Sequence, residues 1–216
     1  HWTLKSYITI FTDPQVPLPR FFFNSLFVAG MHVVITLFTS SLAGFIFAKF
    51  RFWGRNAGFG FILAQMMIPF QVVMIPSYLI LMKLHLVDSL WGLIVPGMVD
   101  AFGIFLMRQF IEGVPNELID AARIDGAGRL RFLVTILIPL SAPALTTLAI
   151  FNFLGRWNDF LWPMLNLRTQ EKYLIQLGLA RFSTRYTNST HLMMSGATIS
   201  VIPLLIAFLL AQRYFV

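Results

Sequence analysis

Five runs of nearly unbroken apolar sequence, residues 21–48, 59–82, 90–107, 132–154 and 192–211, leave this 216-residue chain little choice of environment. Each approaches or exceeds the ~20 residues that a tilted helix needs to cross about 30 Å of hydrocarbon. The runs are far longer than the ~10 residues of a barrel strand and do not alternate polar with apolar, so helices are the architecture they allow. Charged residues make up 12% of the chain, against about a quarter in a soluble domain. The expected fold is an all-α integral membrane protein with five transmembrane helices, forming one domain over residues 1–216.

The remaining composition narrows the chemistry. There is no cysteine, which excludes disulfides, thiolate zinc sites, iron–sulfur clusters and cysteine nucleophiles. The formal charge of +7 is scattered among loops beside the apolar runs, so it suits anionic lipid headgroups, and no nucleic-acid partner is expected. His32 and His85 have no second ligand at metal spacing, and no metal site is expected. No nucleophile-and-base motif can be assembled. The chain also lacks a Gly-x-x-x-x-Gly-Lys-Ser/Thr loop, so it is not expected to be an enzyme or to bind ATP itself.

One polar interruption, residues 113–131, separates the third run from the fourth. Pro115 suits a first helical position, and Glu117 and Asp120 place negative charge in a first turn, which predicts a short helix over residues 116–125. Gly126 can take the left-handed conformation that ends such a helix, and Gly128 starts a second one. Ala121 and Ala122 have almost no side chain, so another protein could approach the backbone there. An amphipathic loop helix lying among lipid headgroups accounts for the same residues.

Polar groups inside the runs are the most costly. Asp100 lies about ten residues into the third run, hence ~15 Å deep. It can bond a neighbouring helix or form a wall of a solute path. Gln71 reaches a comparable depth in the second run. Near the end of the fourth run, Asn152, Arg156, Trp157, Asn158, Asp159 and Trp162 gather. Aromatic faces beside amides and carboxylates suit a sugar, and an interfacial aromatic belt with a capping Asp uses the same residues. Pro69 and Pro76 in the second run, Pro96 in the third, Pro139 and Pro143 in the fourth and Pro203 in the fifth are each expected to bend a helix. Small residues, including Gly92, Gly97 and Gly196, permit close helix contact. An ion-coupled secondary transporter or channel using Asp100 is the alternative class; it calls for more intramembrane ionisable groups or an internal repeat, and neither is visible.

Glu117-Leu-Ile-Asp-Ala-Ala-Arg-Ile-Asp-Gly-Ala127, followed by Ile138-Pro-Leu140 and Pro143, resembles the EAA loop of the inner-membrane permease subunits of binding-protein-dependent ABC importers. Asp120 stands where that family usually carries Glu. Residues 157–163, Trp-Asn-Asp-Phe-Leu-Trp-Pro, are similar to a stretch frequent in the carbohydrate-uptake class, and the whole is similar to the second maltose-type permease subunit. The resemblance implies a type I ABC importer transmembrane domain in the inner membrane, here without the family's first helix. It also implies three partners: a second permease, a dimeric cytoplasmic ATPase that binds the ATP and Mg, and an extracytoplasmic solute-binding protein. Glu117, Asp120, Ala121, Ala122, Asp125 and Gly126 would couple to the ATPase. Gln71, Asp100, Asn152, Trp157, Asn158 and Asp159 are the candidate solute path. Lys and Arg divide evenly between alternate sides, Arg213 and Arg185 among them, so orientation rests on the resemblance: residues 113–131 face the cytoplasm and residues 157–191 face outward.

Overall fold

The computed structural model describes residues 5–12, 17–185 and 190–212. Arg213, the side chain of Arg185 and residues 1–4 lie outside what is described. Among the described residues the regular elements are all helical, as the length of the apolar runs predicts. After α1 (Lys5–Thr12), α2 (Leu18–Lys49) is the longest, with 32 residues or about 48 Å of rise. It is apolar enough to cross a membrane, and so is α13 (Thr190–Ala211).

Membrane helices gain little by hiding apolar surface from lipid, so close packing and hydrogen bonds decide which face turns inward. In α2 the buried face carries Ser25, Ala29, His32, Thr36, Ser40 and Gly44, spaced three or four residues apart. The opposite face exposes Phe23, Phe27, Val34 and Phe38. Small inward residues let α2 press against α6 (Ala101–Glu112): a Cβ at Gly44 would stand 2.7 Å from that of Met107.

The other three runs are broken, which corrects the expectation of five merely bent spans. The second divides into α3 (Arg55–Met66) and α4 (Phe70–Lys83), meeting at 102°. Pro69 causes this break from outside a helix: it caps α4 in an extended conformation and pushes Ile68 away from helical geometry. Pro76 lies inside α4. The third run divides into α5 (Leu90–Ile94), which continues as a tight turn through Pro96 to Gly97, and α6, at 45°. The short loop helix α7 (Glu117–Ile124) and α8 (Arg129–Phe132) follow, and a wide turn over Leu133–Leu137 leads to α9 (Ile138–Leu140). The chain then turns by 79° into α10 (Ala142–Trp157), where Pro143 sits in the first turn and its missing N–H is tolerated. Counting each bent pair as one span gives up to five spans. Pro203 lies inside the unbroken α13.

Two ends of the bundle are pinned. At one, Arg55 and Arg108 share the carboxylate of Glu112 at 3.7 and 3.3 Å, and Lys49 donates to the Val114 carbonyl at 2.6 Å. At the other, α11 (Leu161–Asn166) and α12 (Ile175–Arg185) fold over the start of α2, where Asn24 donates to the carbonyls of Glu171 and Tyr173 and Ser25 accepts from the Ile175 amide.

Candidate functional site

Where the second and third spans break, the chain forms an open cavity of 630 Å³. Gln65 and Phe70 line it from either side of the α3/α4 break, Gly97 and Asp100 from the α5/α6 break, and Asn152 and Arg156 from α10. A helix that stops inside a membrane leaves amide hydrogens without partners, and Asp100 supplies acceptors for them. Its carboxylate accepts from the Phe102 amide at 3.2 Å and the Gly103 amide at 3.1 Å, and from the side-chain amide of Asn152 at 3.3 Å. The carboxylate thus caps α6, bonds a neighbouring helix and borders the cavity at once.

Asn152 extends the network, because its carbonyl oxygen lies 3.1 Å from His32 Nε2. His32 is buried and also lines the cavity. Metal-ligand spacing gives no hint of this role; the signal for it is His32's place on the small, polar face of α2. Arg156 reaches the same point, since a Cβ at Gly97 would collide with its guanidinium and with the His32 ring. Its charge is matched by Asp159 at 3.4 Å.

The remaining candidates lie elsewhere. Gln71 is exposed in the first turn of α4 and is not part of the cavity wall. Trp157 is 1% exposed, so the expectation that its face meets a sugar or an interface is corrected. Its indole N–H donates to the Ser200 carbonyl at 3.0 Å, and its ring stacks on Phe153 and meets the edge of Phe22. Trp162 is equally buried and donates to the Gly92 carbonyl. Both indoles satisfy their one polar atom inside the protein, so they bolt α10 and α11 to their neighbours. Asn158 is exposed and bonds the Leu154 carbonyl and Gln176. Asp159 stands one step behind Arg156 and accepts from the Trp162 amide at 3.4 Å.

A feature with no sequence signal is Asp88, which takes a left-handed φ of 55° between α4 and α5. Its carboxylate accepts from the amides of Arg168 and Thr169, the Thr169 hydroxyl and the Lys172 ammonium. Burial opposes its charged form, but these donors prevail and hold the carboxyl well below the usual carboxylate range.

At the opposite end, α7 covers residues 117–124 where residues 116–125 were expected. Pro115 precedes the cap Asn116 instead of opening the helix. Gly126 has the expected left-handed φ of 75°, and the amides of Gly126 and Ala127 close the turn on the carbonyls of Arg123 and Ala122. The two alanines differ. Ala121 is exposed, whereas Ala122 is 5% exposed and packs in the same cluster as Phe45 and Phe132, so the expectation that both admit another protein is corrected. Leu118, Ala121 and Ile124 form an exposed stripe, flanked by the exposed Glu117, Asp120 and Asp125.

Residues 40–216 match the family described as the binding-protein-dependent transport system inner membrane component. The chain belongs to this family. It is a permease subunit with the type I ABC importer fold. The arabinooligosaccharides transport system permease protein AraQ of Halalkalibacterium halodurans is 37% identical over 214 residues, 99% of this chain and 76% of the relative. The sn-glycerol-3-phosphate transport system permease protein UgpE of Brucella abortus is 36% identical over 203 residues, 93% and 72% of the two chains. Among solved structures, a bacterial ABC transporter involved in the import of the acidic polysaccharide alginate superimposes with a TM-score of 0.83 at 30% identity, covering 98% of this permease and 79% of that chain. A second solved structure, of a bacterial alginate ABC transporter in complex with alginate pentasaccharide-bound periplasmic protein, shares the fold at a TM-score of 0.72 and 15% identity.

Proposed function

We propose that this permease forms, with a second permease, the membrane path of an ATP-driven importer for a sugar or sugar-like solute. The cavity at the two helix breaks carries the reading. It brings a carboxylate, Asp100, a side-chain amide, Asn152, and a guanidinium donor, Arg156, to one open volume, which is the chemistry a hydroxyl-rich solute needs. The arabino-oligosaccharide, glycerol phosphate and alginate systems of its relatives support that solute class.

The loop supplies the drive. Leu118, Ala121 and Ile124 offer a small apolar surface with Glu117, Asp120 and Asp125 beside it, suited to a cleft on a cytoplasmic ATPase. In this reading, closure of the ATPase dimer moves α7, and Gly126 passes the motion through α8 to the broken spans. ATP and Mg are held by that partner, as is the chemistry of hydrolysis, and an extracytoplasmic binding protein delivers solute to the α11/α12 end. The commitment of Asp100 to two backbone amides and Asn152 disfavours an ion-coupling role.

The test is uptake by proteoliposomes that contain the assembled complex. Uptake of a neutral oligosaccharide should require the binding protein and ATP on the loop's side, and should be indifferent to a proton or sodium gradient. Gradient-driven uptake without the ATPase would establish the secondary-transporter alternative.

A further inference from the structure

A second cavity, of 380 Å³, lies between the end of α2 and the inner face of α7, within the size range of small-ligand pockets. Four cations line it: Lys49, Arg51, Arg123 and Arg129. Asp120 is the one carboxylate in its lining, and the ion pairs of the described residues include none of the four cations. Lys49 bonds only neutral groups, the Val114 carbonyl and Asn116 Oδ1, and Arg129 stacks over the Phe50 ring with 4.8 Å to the centroid. Four cations facing one carboxylate leave an excess of positive charge in the lining, even with Glu112 and Glu117 acting on Lys49 from outside it, and that excess is relieved by an anion that several of the cations share.

Position selects the anion. Lys49 ends the longest span, and Phe45, Phe50 and Phe132 line the same cavity, so a cationic rim adjoins an apolar wall at the end of a membrane helix. A headgroup phosphate with its glycerol and first methylenes has that division of polarity, and basic pockets beside membrane spans suit such groups. We propose that this cavity binds a phosphate group, supplied by an anionic phospholipid of the surrounding leaflet. It lies on the face of α7 opposite the Leu118–Ala121–Ile124 stripe, so lipid and ATPase would grip the loop from two sides. Bilayer composition would then set how firmly the loop is held.

Native mass spectrometry of the assembled complex tests the site by binding alone, so no outcome depends on the transported solute. The complex is delipidated and titrated with phosphatidylglycerol, phosphatidylcholine or inorganic phosphate. The wild type should retain one more phosphatidylglycerol per copy of this chain than the double variant Arg51→Gln/Arg129→Gln, with no such difference for phosphatidylcholine. Arg51→Lys/Arg129→Lys should restore the retention, which separates lost charge from lost folding. Equal retention by the wild type and the Gln variant overturns the proposal. Loss in both double variants overturns it as well, because that loss does not follow charge. Occupancy by inorganic phosphate that excludes the lipid would uphold the phosphate chemistry and overturn the lipid source.

Discussion

Asn152 donates its side-chain amide to Asp100 across 3.3 Å, joining α10 to α6 where the third span opens. The bond fixes two groups that present polar atoms to the larger cavity, so the position of each depends on the other.

Replacing Asp100 tests that link. Asp100→Leu removes the cap of α6 and the bond to Asn152, and loss of a cap alone costs about 0.5–2 kcal/mol. The thermal midpoint of the complex should fall and uptake should drop at least tenfold. Asp100→Asn keeps an acceptor for the amides, so it should retain most of both. Normal uptake with Leu would remove Asp100 from the path.

The two alanines of the loop should separate cleanly. Ala121→Trp adds bulk on the exposed stripe and should abolish solute-stimulated ATP hydrolysis while the chain inserts and is recovered in normal yield. Ala122→Trp overfills the cluster around Phe45 and Phe132, where overpacking costs about 1–3 kcal/mol, and should lower the recovered yield. Equal coupling in Ala121→Trp and wild type would show that the stripe does not meet the ATPase.

Gly126 should matter through its backbone. A β-branched residue held at φ 75° costs on the order of 1–2 kcal/mol, so Gly126→Val should redirect α8 and lower the number of solutes moved per ATP. Gly126→Asn, which tolerates the left-handed region, should be milder. The ratio of uptake to phosphate release is the measurement.

Asp88 should give the fold a pH signature. Its carboxyl is held below the usual range, so it binds fewer protons folded than unfolded. Its contribution is therefore complete above the unfolded value of about 4 and fades as the pH falls toward the lowered folded value. Asp88→Asn should lower the thermal midpoint by the same amount at pH 7 and pH 5, and the gap to wild type should close below about pH 4. A gap independent of pH would mean that the carboxylate charge does not hold this loop.

The apolar lengths were enough to read the helical membrane fold, and a glycine placed just after the short loop helix was enough to read the left-handed turn at Gly126. The breaks were harder. Pro69 marks its position, but whether a proline bends a helix or divides it depends on what packs against the gap, which here is α11 on α4 and the cavity beside it. Trp157 misled for a related reason: an indole at the end of a span suits an interface equally well until α13 supplies the Ser200 carbonyl. Ala122 and Ala121 are indistinguishable as letters and differ only by the 100° that separates them on the helix. His32 and Arg156 needed the fold, because Gly97 brings them together from helices more than a hundred residues apart.

The inward face of α2 also reverses the usual rule for which substitutions a helix tolerates. On its outward side, Phe38 is 68% exposed, so Leu or Ile there disturbs little packing within the chain. On its inner side, Ser40 lies where Gly103 of α6 approaches, and even a modest apolar side chain there would push α2 and α6 apart. For this helix, sensitivity to substitution belongs to its smallest and most polar residues, and its largest apolar ones are the freely exchangeable part.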